Sequence, residues 1–219
     1  MIIIGIDPSL NSTAITIFKN NNFTIFNYTN KEPKYKWVKV LSDLGLVDFR
    51  FHHFSDDNDF SQSETEKIKQ YGIITDRIVN DIEGIIDDKT EIWIEGYSYS
   101  SAQGRLIDLV VFGTLIRYKL LKNPNVSLHI IPPSTLKKTI SKLVYGEDGK
   151  GVTRDDGGKA GGSFDKKDML KCLTRLDLDN GYLDWVKDNS PLLLKSKNIP
   201  KPFDDCNDSF LLCYFGIKI

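Results

Sequence analysis

The chain opens on Ile2 to Ile6, a continuous β-branched run of the kind that forms a strand buried on both faces. Pro8, Ser9, Asn11 and Ser12 break it, and Thr13 to Phe18 resumes as a second strand. Asn20-Asn21-Asn22 reads as a hairpin turn into a third strand, Phe23 to Tyr28. From Thr29 to Ser61 aromatic, Lys and Asp residues mix without a clear period, which predicts an insertion holding one strand near Phe49 to Phe54. Glu64 to Ile86 carries Ile68, Tyr71, Ile74, Ile78 and Ile82 at three- and four-residue steps, the spacing of a helix. Glu91 to Glu95 then reads as a short strand, Arg105 to Leu121 as a strongly apolar helix, and Val126 to Ile131 as a strand stopped by Pro132-Pro133. Ser134 is placed to cap a helix reaching Val144. Gly146 to Gly162 is rich in Gly, Asp and Lys and almost free of apolar residues, so a mobile loop is expected there. Asp165 is placed to cap a helix through Leu173, an irregular stretch is bounded by Pro191, Pro200 and Pro202, and a last helix covers Asp205 to Tyr214.

Three strands in succession, followed by helices alternating with strands, predict a mixed sheet flanked by helices. The length of 219 residues suits one domain, residues 1–219, with an insertion at 29–61 and the Gly-rich loop at 146–163. Hydrophobic content of 40% and charged content of 27% are those of an ordinary globular protein. Cys172, Cys206 and Cys213 form no CxxC pair and have no His at ligand spacing, which argues against structural zinc or a disulfide framework and for buried free thiols in a reducing compartment. No run approaches the ~18 apolar residues of a membrane span, and the N-terminus lacks a secretory pattern, so a cytoplasmic location is expected. His52, His53 and His129 do not read as ligands.

Four acids change this picture. Asp7 ends the first apolar run, in Ile4-Gly5-Ile6-Asp7-Pro8-Ser9, where a turn opener is the plainer reading of that one residue. Glu95 ends another, in Ile92-Trp93-Ile94-Glu95-Gly96, and if the two strands are neighbours both carboxylates leave the same sheet edge. Asp205 and Asp208 stand three apart at the start of the last helix, on one face of it. Asp204 suits a capping role that complements the helix dipole, whereas Asp208 lies deeper, where a carboxylate needs a partner. Hard oxygen donors of this kind hold divalent cations, and two such ions about 3.5–4 Å apart cut phosphodiesters.

The strand I-I-G-I-D-P-S, a Glu ending a later strand and D-x-x-D opening the terminal helix resemble the RuvC family of Holliday junction resolvases, in the ribonuclease H-like superfamily. The resemblance runs from Ile2 to Leu212, outside the insertion and the Gly-rich loop. It implies a ribonuclease H-like fold with a five-stranded mixed sheet and a crossover-junction endodeoxyribonuclease. Such an enzyme acts on branched DNA, resolving four-way junctions as a homodimer and leaving 5′ phosphate and 3′ hydroxyl ends. It implies Asp7, Glu95, Asp205 and Asp208 as catalytic metal ligands, with two Mg²⁺ per site and Mn²⁺ able to substitute. It also implies Lys137 and Lys166 as phosphate contacts, with neighbouring Lys138 and Lys167 able to take their places. Tyr97 and Tyr99 flank the position of a base-stacking aromatic.

Charge agrees with this locally. The net charge is -1, yet ten Lys or Arg face six acids between Ile131 and Arg175, a basic segment suited to a phosphate backbone. A nuclease of the same fold acting on flaps, Y-junctions or RNA–DNA hybrids is the alternative within the class. An actin-like ATPase, whose phosphate hairpin also opens I-G-I-D, ranks lower because no second Gly-rich hairpin follows a strand. Heavy use of Lys, Asn and Ile suits an AT-rich genome such as that of a phage.

Overall fold

The structure, a computed structural model, describes residues 1–53, 60–87, 89–97, 103–146 and 164–219. Asn20 and Asn21 both have positive φ (53° and 59°), the geometry of a tight two-residue hairpin turn that Asn tolerates better than most residues. That turn folds β2 (Ser12–Lys19) onto β3 (Asn22–Thr29), and β1 (Ile2–Asp7) pairs antiparallel with the other edge of β2. The last two strands of the chain, Thr90–Glu95 and Val126–Ile131, extend the sheet in parallel from β1.

A further strand, β4 (Asp48–Phe51), pairs parallel with β3. Naming Thr90–Glu95 β5 and Val126–Ile131 β6, the six-stranded sheet runs β4-β3-β2-β1-β5-β6. This is the mixed, helix-flanked sheet expected, with six strands in place of five. The extra strand comes from the insertion and forms an edge, where four residues suffice because only one neighbour must be satisfied.

Side-chain parity divides the sheet into two layers. Ile2, Ile4 and Ile6 of β1, with Ile92 and Ile94 of β5, pack against α2 (Phe60–Glu83) and α3 (Gln103–Leu120) through Tyr71, Ile74, Ile78, Phe112 and Ile116. The opposite face receives α7 (Phe203–Lys218), whose Phe210, Leu211 and Leu212 join a second core. That core also holds residues of α4 (Pro133–Tyr145), α5 (Lys166–Thr174) and α6 (Gly181–Lys195). Ile3, Gly5 and Asp7 therefore share the α7 face of the sheet, as do Trp93 and Glu95 on the neighbouring strand.

Several local expectations need correction. The insertion contains a helix, α1 (Lys36–Asp43), which buries Val38 and Leu41. The stretch around Pro191 is helical: Asn180 caps α6 by accepting from the backbone of Tyr182 and Leu183, and Pro191 lies inside the helix. The α4 helix begins at Pro133, whose missing N–H is harmless in a first turn, so Ser134 is not its cap. Likewise Asp204 lies inside α7, whose cap position is Pro202 and carries no side-chain cap bond. Asp165 does cap α5, accepting from the backbone of Lys167 and Asp168 in a capping box with Asp168. The expected loop lies outside the described residues apart from Gly146. The three cysteines are buried and free. Among the described residues no helix is long and apolar enough to cross a membrane.

Candidate metal centre

Parallel pairing brings the first two acids together. Ile6 pairs with Ile94, so Asp7 and Glu95, each the last residue of its strand, stand side by side on the α7 face. Asp7 is 5% exposed, and the Glu95 carboxyl lies close enough to share a proton with it. The two remaining acids arrive on α7, held tightly to β1 because Gly5 has no side chain. A Cβ at Gly5 would overlap the backbone of Ser209 and Cys213. Asp205 and Asp208, one turn apart and 1% and 3% exposed, therefore face Asp7. Beneath them Thr16 Oγ1 and Ser209 Oγ share a 2.8 Å hydrogen bond, and Asn27 Nδ2 donates to Cys206 Sγ at 3.6 Å.

Two lysines enter the cluster. The Asp165 cap makes Lys166 the first residue of α5, and its ammonium group, at the end of a side chain 44% exposed, bonds Asp208 Oδ2 and lies 3.0 Å from Asp204 Oδ1. Lys201, just before α7, bonds Asp205 Oδ1 and lies 3.1 Å from Asp204 Oδ2. Asp208, Lys166, Asp204, Lys201 and Asp205 thus form a continuous ladder of alternating charge.

The acids still outnumber these cations. Burial raises the Asp7 carboxyl well above the usual range, and Glu95, Asp205 and Asp208 push it further. Burial and then the Asp208 charge lift Glu95 to about 7. Burial also raises Asp205 and Asp208, although Lys201 and Lys166 oppose it. For Asp204 the balance reverses: burial pushes upward, but the two ammonium groups hold its carboxyl below the usual value. Both lysines stay protonated, since the carboxylates outweigh the burial that disfavours their charge.

Asp205 Oδ2 is buried with no hydrogen-bond partner; the Ser12 hydroxyl, close enough to lower the Asp205 carboxyl's pKa, donates to Asn27 Oδ1 at 3.1 Å. Among the described residues no three acidic, His or Cys side chains already enclose a metal-sized point, and the cations that meet these oxygens are ammonium groups. The donor set nevertheless fits a hard divalent ion. It offers five carboxylates, one of them with a bare buried oxygen, and once all five are ionised their charge exceeds that of its two lysines by three.

A pH dependence follows. A carboxyl with a raised folded-state pKa binds its proton more tightly when folded, so its stabilising contribution is complete below its unfolded pKa of about 4.3 and is lost as pH rises through 7. In EDTA, Tm of the wild type relative to Glu95→Gln should fall between pH 5 and pH 8. Taking the difference removes His52, whose burial lowers its imidazole to about 4 and acts in the opposite direction. A flat difference would show that Glu95 carries no such shift.

The remaining expected residues separate. Lys137 is partly buried and near enough to Glu95 to lower its pKa, whereas Lys138 is exposed. Lys167 donates to Leu194 O at 3.0 Å, away from the acids. Tyr97 is engaged within the protein: the Arg117 guanidinium covers its ring at 4.1 Å, and its hydroxyl meets Val110 O and Thr114 Oγ1. Arg117 in turn donates to Glu95 O at 2.8 Å, pinning the end of β5. Tyr99 lies outside the described residues. His129 is spent on Glu91 Oε2 at 2.6 Å and stacks on Trp93. Asp204, in sequence a cap or a substitute for Asp205 as ligand, stands in the cluster beside Asp205, and Lys201 is the member that the sequence reading did not include; its signal is its position four residues before Asp205.

No protein-family model and no curated protein sequence matches the chain. Among solved structures it is similar to Thermus thermophilus RuvC, with a TM-score of 0.45 at 8% identity over 100% of this chain and 96% of that one. It is also similar to the T. thermophilus RuvC in complex with Holliday junction substrate, with a TM-score of 0.43 at 8% identity over 97% of this chain and 90% of that one. Both are likenesses of chain course; chemistry has to come from the side chains.

Proposed function

We propose that residues 1–219 form one metal-dependent, structure-selective DNA endonuclease domain of the RuvC kind, acting in the cytoplasm on four-way junctions. The observation that carries this reading is the carboxylate cluster at the ends of β1 and β5 and the start of α7, with its uncompensated charge and the bare Asp205 Oδ2. Mg²⁺ or Mn²⁺ held by Asp7, Glu95, Asp205 and Asp208 supplies Lewis acidity toward a phosphodiester and its attacking water. Lys137 and Lys166 would neutralise phosphate charge, a role supported by their nearness to the acids.

The junction reading needs two sites. Phe112, Ile116 and Leu120 of α3 turn into the core, while Ile107, Val111, Tyr118 and the following Leu121 lie on its exposed side at 64%, 39%, 59% and 62% exposure. Paired two-fold through this strip, two copies present two sites to a two-fold substrate, which yields symmetric nicks with 5′ phosphate and 3′ hydroxyl ends.

A panel of four-way junctions, flaps, Y-junctions and RNA–DNA hybrids in Mg²⁺ tests the reading. Paired symmetric nicks are expected on the junction. Lys137→Met should slow them about 10²-fold, the scale of losing one charge-stabilising group, and Lys138→Met should leave the rate nearly unchanged. Preferred cleavage of a hybrid or flap would reassign the substrate. No cleavage in either Mg²⁺ or Mn²⁺ would remove the nuclease.

A further inference from the structure

We propose that the Lys201 ammonium group is a resident cation of this centre: it fills the position between Asp204 and Asp205, leaving room for one divalent ion where the carboxylates alone would take two. The inference rests on the metal-centre reading and deepens it.

Lys201 contacts one oxygen of each neighbouring carboxylate, Asp205 Oδ1 and Asp204 Oδ2. The Asp205 and Asp204 side chains are 2% and 14% exposed, so water cannot replace a lost counter-charge. The other Asp204 oxygen meets Lys166, which spends its remaining contact on Asp208. These ion pairs account for both Asp204 oxygens and one each of Asp205 and Asp208. Among the described residues, Asp7 and Glu95 are the members of the cluster that no lysine pairs with. Together with the bare Asp205 Oδ2 and the Asp208 oxygen that Lys166 leaves free, they make the donor set of a single ion.

Position separates the two lysines. The two side chains are equally exposed, 44% for Lys166 and 41% for Lys201, and what differs is that Lys166 reaches the acids from another helix, α5. Lys201 lies four residues from Asp205 at the entry to α7, with the buried Pro202 and Phe203 directly after it. A second divalent ion at Asp204 and Asp205 would have to displace a cation built into the same turn.

The test counts Mn²⁺ bound to the full chain without DNA, by calorimetry and by the spin-resonance signal of the unbound ion. One Mn²⁺ per chain is expected for the wild type. Lys201→Met, similar in length but uncharged, should take two and gain more in Tm on Mn²⁺ addition than the wild type does. Lys201→Arg, which restores the charge, should return to one. Two ions in the wild type would overturn the proposal while leaving the metal centre standing, and so would a count of one in Lys201→Met. Should Lys201→Met not fold, Lys201→Gln is counted in its place, where two ions support the proposal and one overturns it. No Mn²⁺ on any form would remove the metal centre and this inference together.

Discussion

Asp7→Asn is expected to abolish cleavage, leave junction binding within about twofold and raise the Tm of the metal-free protein. Asn keeps the volume of the side chain and removes its charge. Asp7 sits at the meeting point of β1, β5 and α7, where Glu95, Asp205 and Asp208 all act on it. Loss of that carboxylate would take away a proposed metal ligand, and a fall of about 10³-fold or more matches the upper end of what one preorganised charge-stabilising group supplies. On the proposed reading DNA affinity would rest mainly on positive side chains such as Lys137, which the substitution does not touch.

The stability readout moves the other way. A buried carboxyl whose pKa is raised on folding opposes the fold increasingly as pH rises above its unfolded-state pKa, so an uncharged replacement stabilises the metal-free form at pH 8. The same variant should lose the rise in Tm that Mg²⁺ gives the wild type. Cleavage measured on a labelled junction and thermal unfolding in EDTA check both halves. Nicking at the normal rate would take Asp7 out of the site.

Some of this arrangement is legible in the chain because strands and helices have fixed periods. Ile2-Ile3-Ile4 announces a central strand. Once β1 and β5 are neighbours, parity alone puts Asp7 and Glu95 on one face. The three-residue step from Asp205 to Asp208 fixes their common side in the same way. The choice between Lys166 and Lys167 stays open in the sequence, and contacts decide it: Lys166 meets Asp208 while Lys167 donates to Leu194 O.

Other parts are hidden by tertiary context. Pro191 reads as a helix breaker, yet α6 carries it, starting from the Asn180 cap and burying Tyr182, Leu183, Val186 and Leu193. Pro200 and Pro202 make the approach to α7 look irregular, which hides Lys201 although its spacing from Asp205 is that of a helical pair. The aromatic Tyr97 looks suited to stacking on a base, and only the structure shows Arg117 already covering its ring. In each case the deciding contact comes from an element distant in sequence.

Gly5→Ala tests the packing that assembles the site. The added Cβ would lie far inside van der Waals contact with Ser209 O and Cys213 N, and 3.0 Å from Cys213 Cα. All three are backbone atoms of α7, so no side-chain rotation relieves the overlap and the helix must back away from β1. That retreat breaks the Thr16–Ser209 hydrogen bond and the 3.4 Å contact from Cys213 Sγ to Ile3 O, and it carries Asp205 and Asp208 away from Asp7. Overpacking of a close-packed interior commonly costs 1–3 kcal/mol, and an unyielding backbone contact puts the loss here at about 3 kcal/mol or more. Gly72→Ala, inside α2 with nothing near the added Cβ, should instead stabilise by about 0.5–1 kcal/mol. Denaturant unfolding of the two variants in EDTA separates them, and Gly5→Ala should also lose its response to Mg²⁺. An unchanged midpoint for Gly5→Ala would mean that α7 does not rest directly on β1, and the carboxylates on α7 would then have no fixed relation to Asp7 and Glu95.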